Sequence, residues 1–142
     1  MINGQRYPYK LIDQKLGMSG HMPYLPLTLH TETASIFVEG LLDTGASVNV
    51  LPYDIGLQLG LNWERETLSL ILAGNLAKFE ARAVILSGEI ASFSAVNLAF
   101  AWTRSPDAPL ILGQANFLGE FDVCFYRSQL EFEVRPKGSK SP

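Results

Sequence analysis

Apolar and polar residues alternate with a period of two along most of the chain, which is the pattern of half-buried β-strands. Leu25, Leu27 and Leu29 begin this alternation, and it resumes after a polar turn over residues 30–33. We therefore predict a β-hairpin over residues 24–42.

A second hairpin is predicted further along the chain. Leu68, Leu70 and Leu72 share one face of its first strand, and the connection over residues 73–76 contains a Gly-Asn pair suited to positive φ angles. On the second strand, alternation places together the residues Phe79, Ala81, Ala83 and Ile85.

Alternation returns in the last third of the chain, over residues 96–102, 121–125 and 130–134. Only two short stretches suit helices, residues 53–60 after a proline and residues 114–119 after a glycine. The pattern predicts an all-β protein, closed or sandwiched, with little helix.

Length and composition narrow the class further. The chain has 142 residues, which fits one domain, and its formal net charge of −3 gives no basic footprint for nucleic acid. Its single cysteine, Cys124, cannot form an internal disulfide and is expected in the core. No apolar run reaches the roughly 18 residues that a membrane span needs, so no membrane contact is expected. With a single cysteine the chain needs no oxidising compartment, so we expect a cytoplasmic protein, and its net charge predicts no contact with nucleic acid.

One carboxylate stands out by its position. Asp43 follows an apolar strand directly and opens the segment Asp43-Thr44-Gly45-Ala46. A tripeptide this short occurs often by chance, and an aspartate there can simply cap its own turn. A second segment changes that balance: an apolar run ends at Gly113, and a short helical stretch follows it.

The order of these features resembles that of the retropepsin-like aspartic proteases, which are single-domain and homodimeric. The order is an apolar strand ending in Asp-Thr-Gly-Ala, a glycine-tipped hairpin, and an apolar-apolar-Gly strand before a helix. The resemblance covers about residues 24–134 and is nearest to small bacterial members. It implies a closed acid-protease β-barrel with a flap hairpin and one short C-terminal helix. The protease domain would span residues 21–136, between an N-terminal extension over 1–20 and a flexible tail over 137–142.

The resemblance also implies a mechanism without metal or cofactor. Two carboxylates share one proton and activate one water for attack on a peptide bond. A chain with one Asp-Thr-Gly and one domain must obtain the second carboxylate from a second copy, so a homodimer acting on a peptide or protein substrate is expected. The strand over residues 130–134 would join a sheet between the subunits.

Site residues follow from the same resemblance. The catalytic loop would comprise Asp43, Thr44 and Gly45, and Gln114 and Ser47 stand where many retroviral members carry an ion-paired Arg and Asp. A neutral hydrogen bond can replace that ion pair. Substrate would contact Ala46, the flap residues Leu72, Ala73, Gly74, Asn75 and Leu76, and the wall residues Ala108, Pro109 and Ile111, while Leu112, Gly113 and Gln114 would support the loop.

Two other functions fit the sequence. One is a dimeric peptide-binding module of the same fold without turnover. The other is an unrelated all-β ligand-binding barrel in which Asp43 only caps a turn. Dimerisation and stabilisation by statine peptides would separate the three.

Overall fold

The structure is a computed structural model, and it describes residues 4–12, 15 and 20–139. The predicted tail over 137–142 and the extension over 1–20 therefore lie partly outside the described residues. The β-strands are β1 Gln5–Pro8, β2 Lys10–Leu11, β3 His21–Met22, β4 Tyr24–His30, β5 Ser35–Leu42, β6 Asn49–Pro52, β7 Ser69–Leu70, β8 Ala81–Glu89, β9 Val96–Thr103, β10 Ile111–Leu112, β11 Phe121–Tyr126 and β12 Glu131–Pro136. The helices are α1 Tyr53–Gln58 and α2 Phe117–Glu120, with 3-10 turns at Trp63–Arg65, Gly74–Lys78 and Arg127–Gln129.

The main sheet has seven strands in the order β4-β5-β10-β6-β9-β8-β7. Strand β4 also pairs with β8, so hydrogen-bonded pairs run in a ring through β4, β5, β10, β6, β9 and β8. The prediction of a mostly β protein is confirmed. The short helices near residues 53 and 117 also form, although each is shorter than the predicted stretch.

The first predicted hairpin is confirmed. Strands β4 and β5 pair antiparallel from Tyr24 opposite Leu41 to His30 opposite Ser35. Alternation sets which side chains are buried, because Leu25, Leu27 and Leu29 are each at most 1% exposed. These leucines form part of the main core.

The second hairpin differs from its prediction in two ways. Only Ser69 and Leu70 pair with β8, and the connection contains a 3-10 turn from Gly74 to Lys78 instead of a tight four-residue turn. On β8 the core face is the one that carries Val84 and Leu86, while Ile85 is 72% exposed. Ala81, which alternates with Ile85, is nevertheless buried. Apolar residues stand on both faces of β8, so periodicity alone does not decide which residues are covered, and the neighbouring layers do.

The main core is formed by buried residues of β4, β8 and β9 together with Phe117, Phe121 and Phe132. Leu98, Phe100 and Trp102 on β9 point inward and are at most 2% exposed, as the alternation predicted. Cys124 is exposed on β11, so its predicted core position is wrong. It lies opposite Glu133 of β12, on the polar face of that pair.

A separate three-stranded sheet joins the two ends of the chain, in the order β1-β12-β11. Strand β1, which falls in the predicted N-terminal extension, pairs antiparallel with β12. Both backbone edges of β12 are therefore occupied within one chain. That the strand over residues 130–134 joins a sheet between subunits stays a prediction, and such a sheet would have to extend from β1 or β11.

The helices of the described residues are short. The longer of the two α-helices, α1, has 6 residues. None of the described helices has the length and apolar character needed to cross a bilayer.

Candidate active site

The loop that carries Asp43 joins two strands that do not pair with each other. Strand β10 lies between them, parallel to β5 and antiparallel to β6. Leu112 of β10 pairs with Leu42 of β5, so both strands end at the same edge of the sheet. The sequence places Asp43 directly after Leu42, and the fold therefore puts its carboxylate at that edge.

Backbone groups hold Asp43 on both sides. Its N–H donates to the carbonyl of Leu112 at 3.0 Å, and its own carbonyl accepts from the N–H of Ala46 at 3.2 Å. Its Oδ1 accepts from the N–H of Gly45 at 2.9 Å. The turn-capping role considered for Asp43 is thus real, and it fixes the direction of a half-buried carboxylate.

The segment after β10 continues alongside the Asp43 loop. The N–H of Gln114 donates to the carbonyl of Ala46 and that of Ala115 to the carbonyl of Ser47, both at 2.9 Å. Gly113 lies so close to this loop that a Cβ there would be 2.6 Å from the carbonyl oxygen of Val48. A glycine is required at this position because any side chain would push the two segments apart.

Gln114 makes the neutral hydrogen bond expected of it, with a different partner. Its Nε2 donates to the backbone carbonyl of Thr44 at 2.7 Å. The bond ties the exposed end of the loop to the segment behind it, and it involves a backbone group instead of the Ser47 side chain.

An apolar groove of about 370 Å³ opens beside this loop. The Asp43 loop and strands β6 and β10 line one part of it. Residues from the segment 70–76, here called the roof segment, line the rest. Leu72 from the roof segment is 8% exposed and packs with Val50, Ala81 and Ala101 in a small apolar cluster. The lining residues are Gly45, Ala46, Ser47, Val48, Val50, Leu70, Ile71, Leu72, Ala73, Leu76 and Ile111.

The structure brings part of the predicted substrate set together. Ala46, Leu72, Ala73, Leu76 and Ile111 all line the groove. The remaining members of that set do not: Gly74 and Asn75 are exposed in the 3-10 turn, Pro109 is exposed, and Ala108 packs against the small apolar cluster.

A larger surface depression of about 560 Å³ lies elsewhere, around His30, Gly60 and Ile85. Its lining contains no residue of the Asp43 loop or of β10. The smaller groove is the candidate site because Gly45, Ala46 and Ser47 of the Asp43 loop line it.

Two asparagines of the site were missed by sequence reasoning. Asn49 is fully buried, and its Oδ1 accepts from the N–H of Gly113 at 2.7 Å. Its Nδ2 donates to Oδ1 of Asn116 at 3.3 Å. The available signal was weak: Asn49 stands between apolar residues and Asn116 within the predicted helical stretch 114–119, but asparagine also suits a turn or a cap.

Comparison with known proteins gave a match in structure but none in sequence. No protein-family model matches the chain, and no curated protein matches it in sequence. The structure matches that of a retropepsin-like aspartic protease from Rickettsia conorii with a TM-score of 0.66. That match covers 93% of this chain and 91% of the other, at 14% sequence identity. At such low identity the likeness concerns the backbone, and the chain has the fold of a retropepsin-like aspartic protease.

Proposed function

We propose that this protein is an aspartic endopeptidase that acts as a homodimer, with Asp43 from each copy at the site of reaction. The observation that carries the proposal is the placement of Asp43-Thr44-Gly45. Within a retropepsin-like fold it lies at the end of β5, beside an apolar groove. The carboxylate accepts a hydrogen bond from the backbone N–H of Gly45, which orients it.

Two carboxylates divide the chemistry between them. One accepts a proton from a water, whose oxygen then adds to the carbonyl carbon of the peptide bond. The other, protonated, donates to the carbonyl oxygen. Collapse of the tetrahedral intermediate breaks the C–N bond. The leaving amine takes the proton that the first carboxylate received from water, and the second carboxylate takes one back from a hydroxyl of the intermediate as the carbonyl re-forms. One copy supplies only one of the two groups, so the site is complete only in a dimer.

The substrate class follows from the groove. Its lining side chains are apolar apart from Ser47, so an apolar side chain of the substrate would be desolvated there at no electrostatic cost. The peptide would lie extended, with its backbone against the Asp43 loop and the roof segment, as in β-strand addition.

The first prediction concerns Asp43. Asp43→Asn keeps the size and the acceptor oxygen for Gly45 but removes the base, so hydrolysis of an unbiased peptide library should fall at least about a hundredfold. Asp54→Asn, at an exposed position on α1, is the control and should cleave like wild type. Cleavage is followed by mass spectrometry, and circular dichroism checks that both variants fold.

Each other outcome has a clear meaning. If Asp43→Asn retains activity within a few-fold of wild type, the chemistry lies elsewhere. If wild type binds peptides or statine inhibitors without cleaving any library member, the protein is a binding module of this fold.

A further inference from the structure

Two asparagine side chains form a connected pair behind the Asp43 loop. Asn49, at the start of β6, is fully buried, and Asn116 lies partly buried just before α2. Sixty-seven positions separate them in sequence, and their side chains meet at 3.3 Å. Buried amides that bond to each other are costly unless every remaining polar atom is also satisfied.

The pair satisfies those atoms with backbone groups from two different segments. Oδ1 of Asn49 accepts from the N–H of Gly113 at 2.7 Å, and its Nδ2 donates to the carbonyl of Ala99 at 2.9 Å. Oδ1 of Asn116 accepts from the N–H of Ala99, and its Nδ2 donates to the carbonyl of Asn97, both at 2.9 Å. The two amides therefore join the edge of β9 to the segment after β10.

That segment is the one against which the Asp43 loop rests. The carbonyl of Leu112 accepts from the N–H of Asp43 at 3.0 Å. Ala115 donates to the carbonyl of Ser47 at 2.9 Å and accepts from the N–H of Asn49 at 3.0 Å. Displacement of the end of β10 and the segment after it would therefore displace the backbone on both sides of Asp43.

We propose that Asn49 and Asn116 are positioning residues, which set the location of the Asp43 carboxylate by anchoring the segment behind its loop to β9. The inference rests on the proposed peptidase function. Position 49 needs a side chain that both accepts and donates, because the site presents an N–H from Gly113 and a carbonyl from Ala99.

Asn49→Asp tests the proposal because pH decides whether the introduced carboxyl is protonated or ionised. The groups that the side chain of Asn49 bonds to, on Ala99, Gly113 and Asn116, are uncharged. Burial should therefore raise the pKa of the introduced carboxyl. While protonated it can still accept and donate. Once ionised, it faces two acceptor oxygens, the carbonyl of Ala99 and Oδ1 of Asn116, and repels both.

The readout is kcat per active site, with sites counted by titration with a tight-binding statine peptide. At low pH the variant should match wild type. As pH rises through the pKa of the introduced carboxyl, its kcat relative to wild type at the same pH should fall about tenfold to a hundredfold, because a shift of roughly 1 Å in a reacting group can cost this much. Asn97→Asp is the matched control, since Asn97 contributes only its backbone carbonyl to the pair and its side chain is exposed.

Two results would overturn the proposal. One is a kcat ratio that stays constant with pH while sites are still titrated. The other is a loss of titratable sites with unchanged kcat per remaining site, which would mean that Asn49 only stabilises the fold.

Amide hydrogen exchange tests the positioning role without relying on peptidase activity. Above the pKa of the introduced carboxyl, the amides of Gly113 and Asp43 should exchange faster in Asn49→Asp than in Asn97→Asp. Equal exchange overturns the positioning role. An inactive wild type with faster exchange in Asn49→Asp overturns the peptidase function and leaves the anchoring of the loop supported.

Discussion

Asp43 owes its position to residues with no chemistry of their own. Gly113 allows the segment after β10 to lie against the loop, where a Cβ would come within 2.6 Å of the Val48 carbonyl oxygen and 2.7 Å of the Ala46 carbonyl oxygen. Both contacts involve backbone atoms, which cannot swing aside as a flexible side chain can. The cost of a substitution there should be large.

Gly113→Ala should lower the free energy of unfolding by about 2–4 kcal/mol, since it forces two backbone segments apart. Gly119→Ala is the matched control, because a Cβ at Gly119 in α2 meets nothing within 4 Å. We expect that control to change stability by less than about 1 kcal/mol. Urea denaturation of both variants measures the difference, and equal stabilities would show that the loop can shift without strain.

Glu133 carries a pH-dependent part of the stability. It is 8% exposed, and hydrogen bonds from Arg135 and Arg6 outweigh burial and lower the pKa of its carboxyl. A lowered pKa in the folded state means that the unfolded chain binds the proton more tightly. The stabilisation is therefore present above the ordinary glutamate pKa and is lost as pH falls through the lowered folded-state pKa.

Glu133→Gln should accordingly be less stable than wild type at neutral pH. The gap should narrow as pH falls below about 4, the ordinary range of a glutamate. Thermal unfolding from pH 7 down to pH 3 follows the gap, with Glu32→Gln at an exposed turn as the control. A gap that stays constant in acid would show that the two arginines do not favour the ionised form.

At the scale of residues, the sequence singled out the carboxylate and three residues expected to support its loop, Leu112, Gly113 and Gln114, but not the two asparagines behind them. Asp43 was identifiable because a charged residue directly after an apolar strand is unusual. Asn49 and Asn116 were not, because their roles depend on contacts across 67 positions of the chain. The periodicity of a sequence says nothing about which distant backbone groups a side chain meets.

At the scale of elements, alternation predicted which segments form strands, but it predicted poorly which strands pair and which face of a strand is buried. The hairpin over residues 24–42 formed as expected because Leu25, Leu27 and Leu29 give β4 one apolar face, which is buried. Strand β8 has apolar residues on both faces, so its buried face could only be chosen by the strands packed on it. Strand β1 was missed because its partner β12 lies at the other end of the chain.

Strand β1 should contribute to stability in spite of its short length. Tyr7 stacks on Phe132 with ring centroids 5.5 Å apart, and burial raises the pKa of the Tyr7 hydroxyl. Tyr7→Ala should lower the free energy of unfolding by about 2–3 kcal/mol, below the loss for a fully buried aromatic. Gln5→Ala, at an exposed position on the same strand, should change little. If both variants unfold at the same urea concentration, β1 is not part of the cooperative unit.

At the scale of the whole molecule, the single Asp-Thr-Gly implies that one chain holds half of the proposed site. The three-stranded sheet of β1, β12 and β11 has two outer edges, and β12 lies between them. Gln114 bonds to the backbone of Thr44, so the loop is braced within each copy by a neutral contact. Because this hydrogen bond lies within one copy, it does not link two copies. The proposed dimer must be held together by other contacts.

Activity should consequently depend on the concentration of the chain. Below the dissociation constant of the dimer, the rate should fall with the square of the chain concentration, because two copies must meet to form one site. A tandem fusion of two copies raises the effective concentration of the second copy to the millimolar range for a short flexible linker, and its rate should fall only linearly.

The measurement is the initial rate on one peptide from micromolar to low nanomolar enzyme, with size-exclusion chromatography run over the same range. A fusion in which one copy carries Asp43→Asn is the control, since it associates equally well but supplies one carboxylate. Strict proportionality of rate to concentration in the unfused protein, with a monomeric elution volume, would contradict a site shared between two copies.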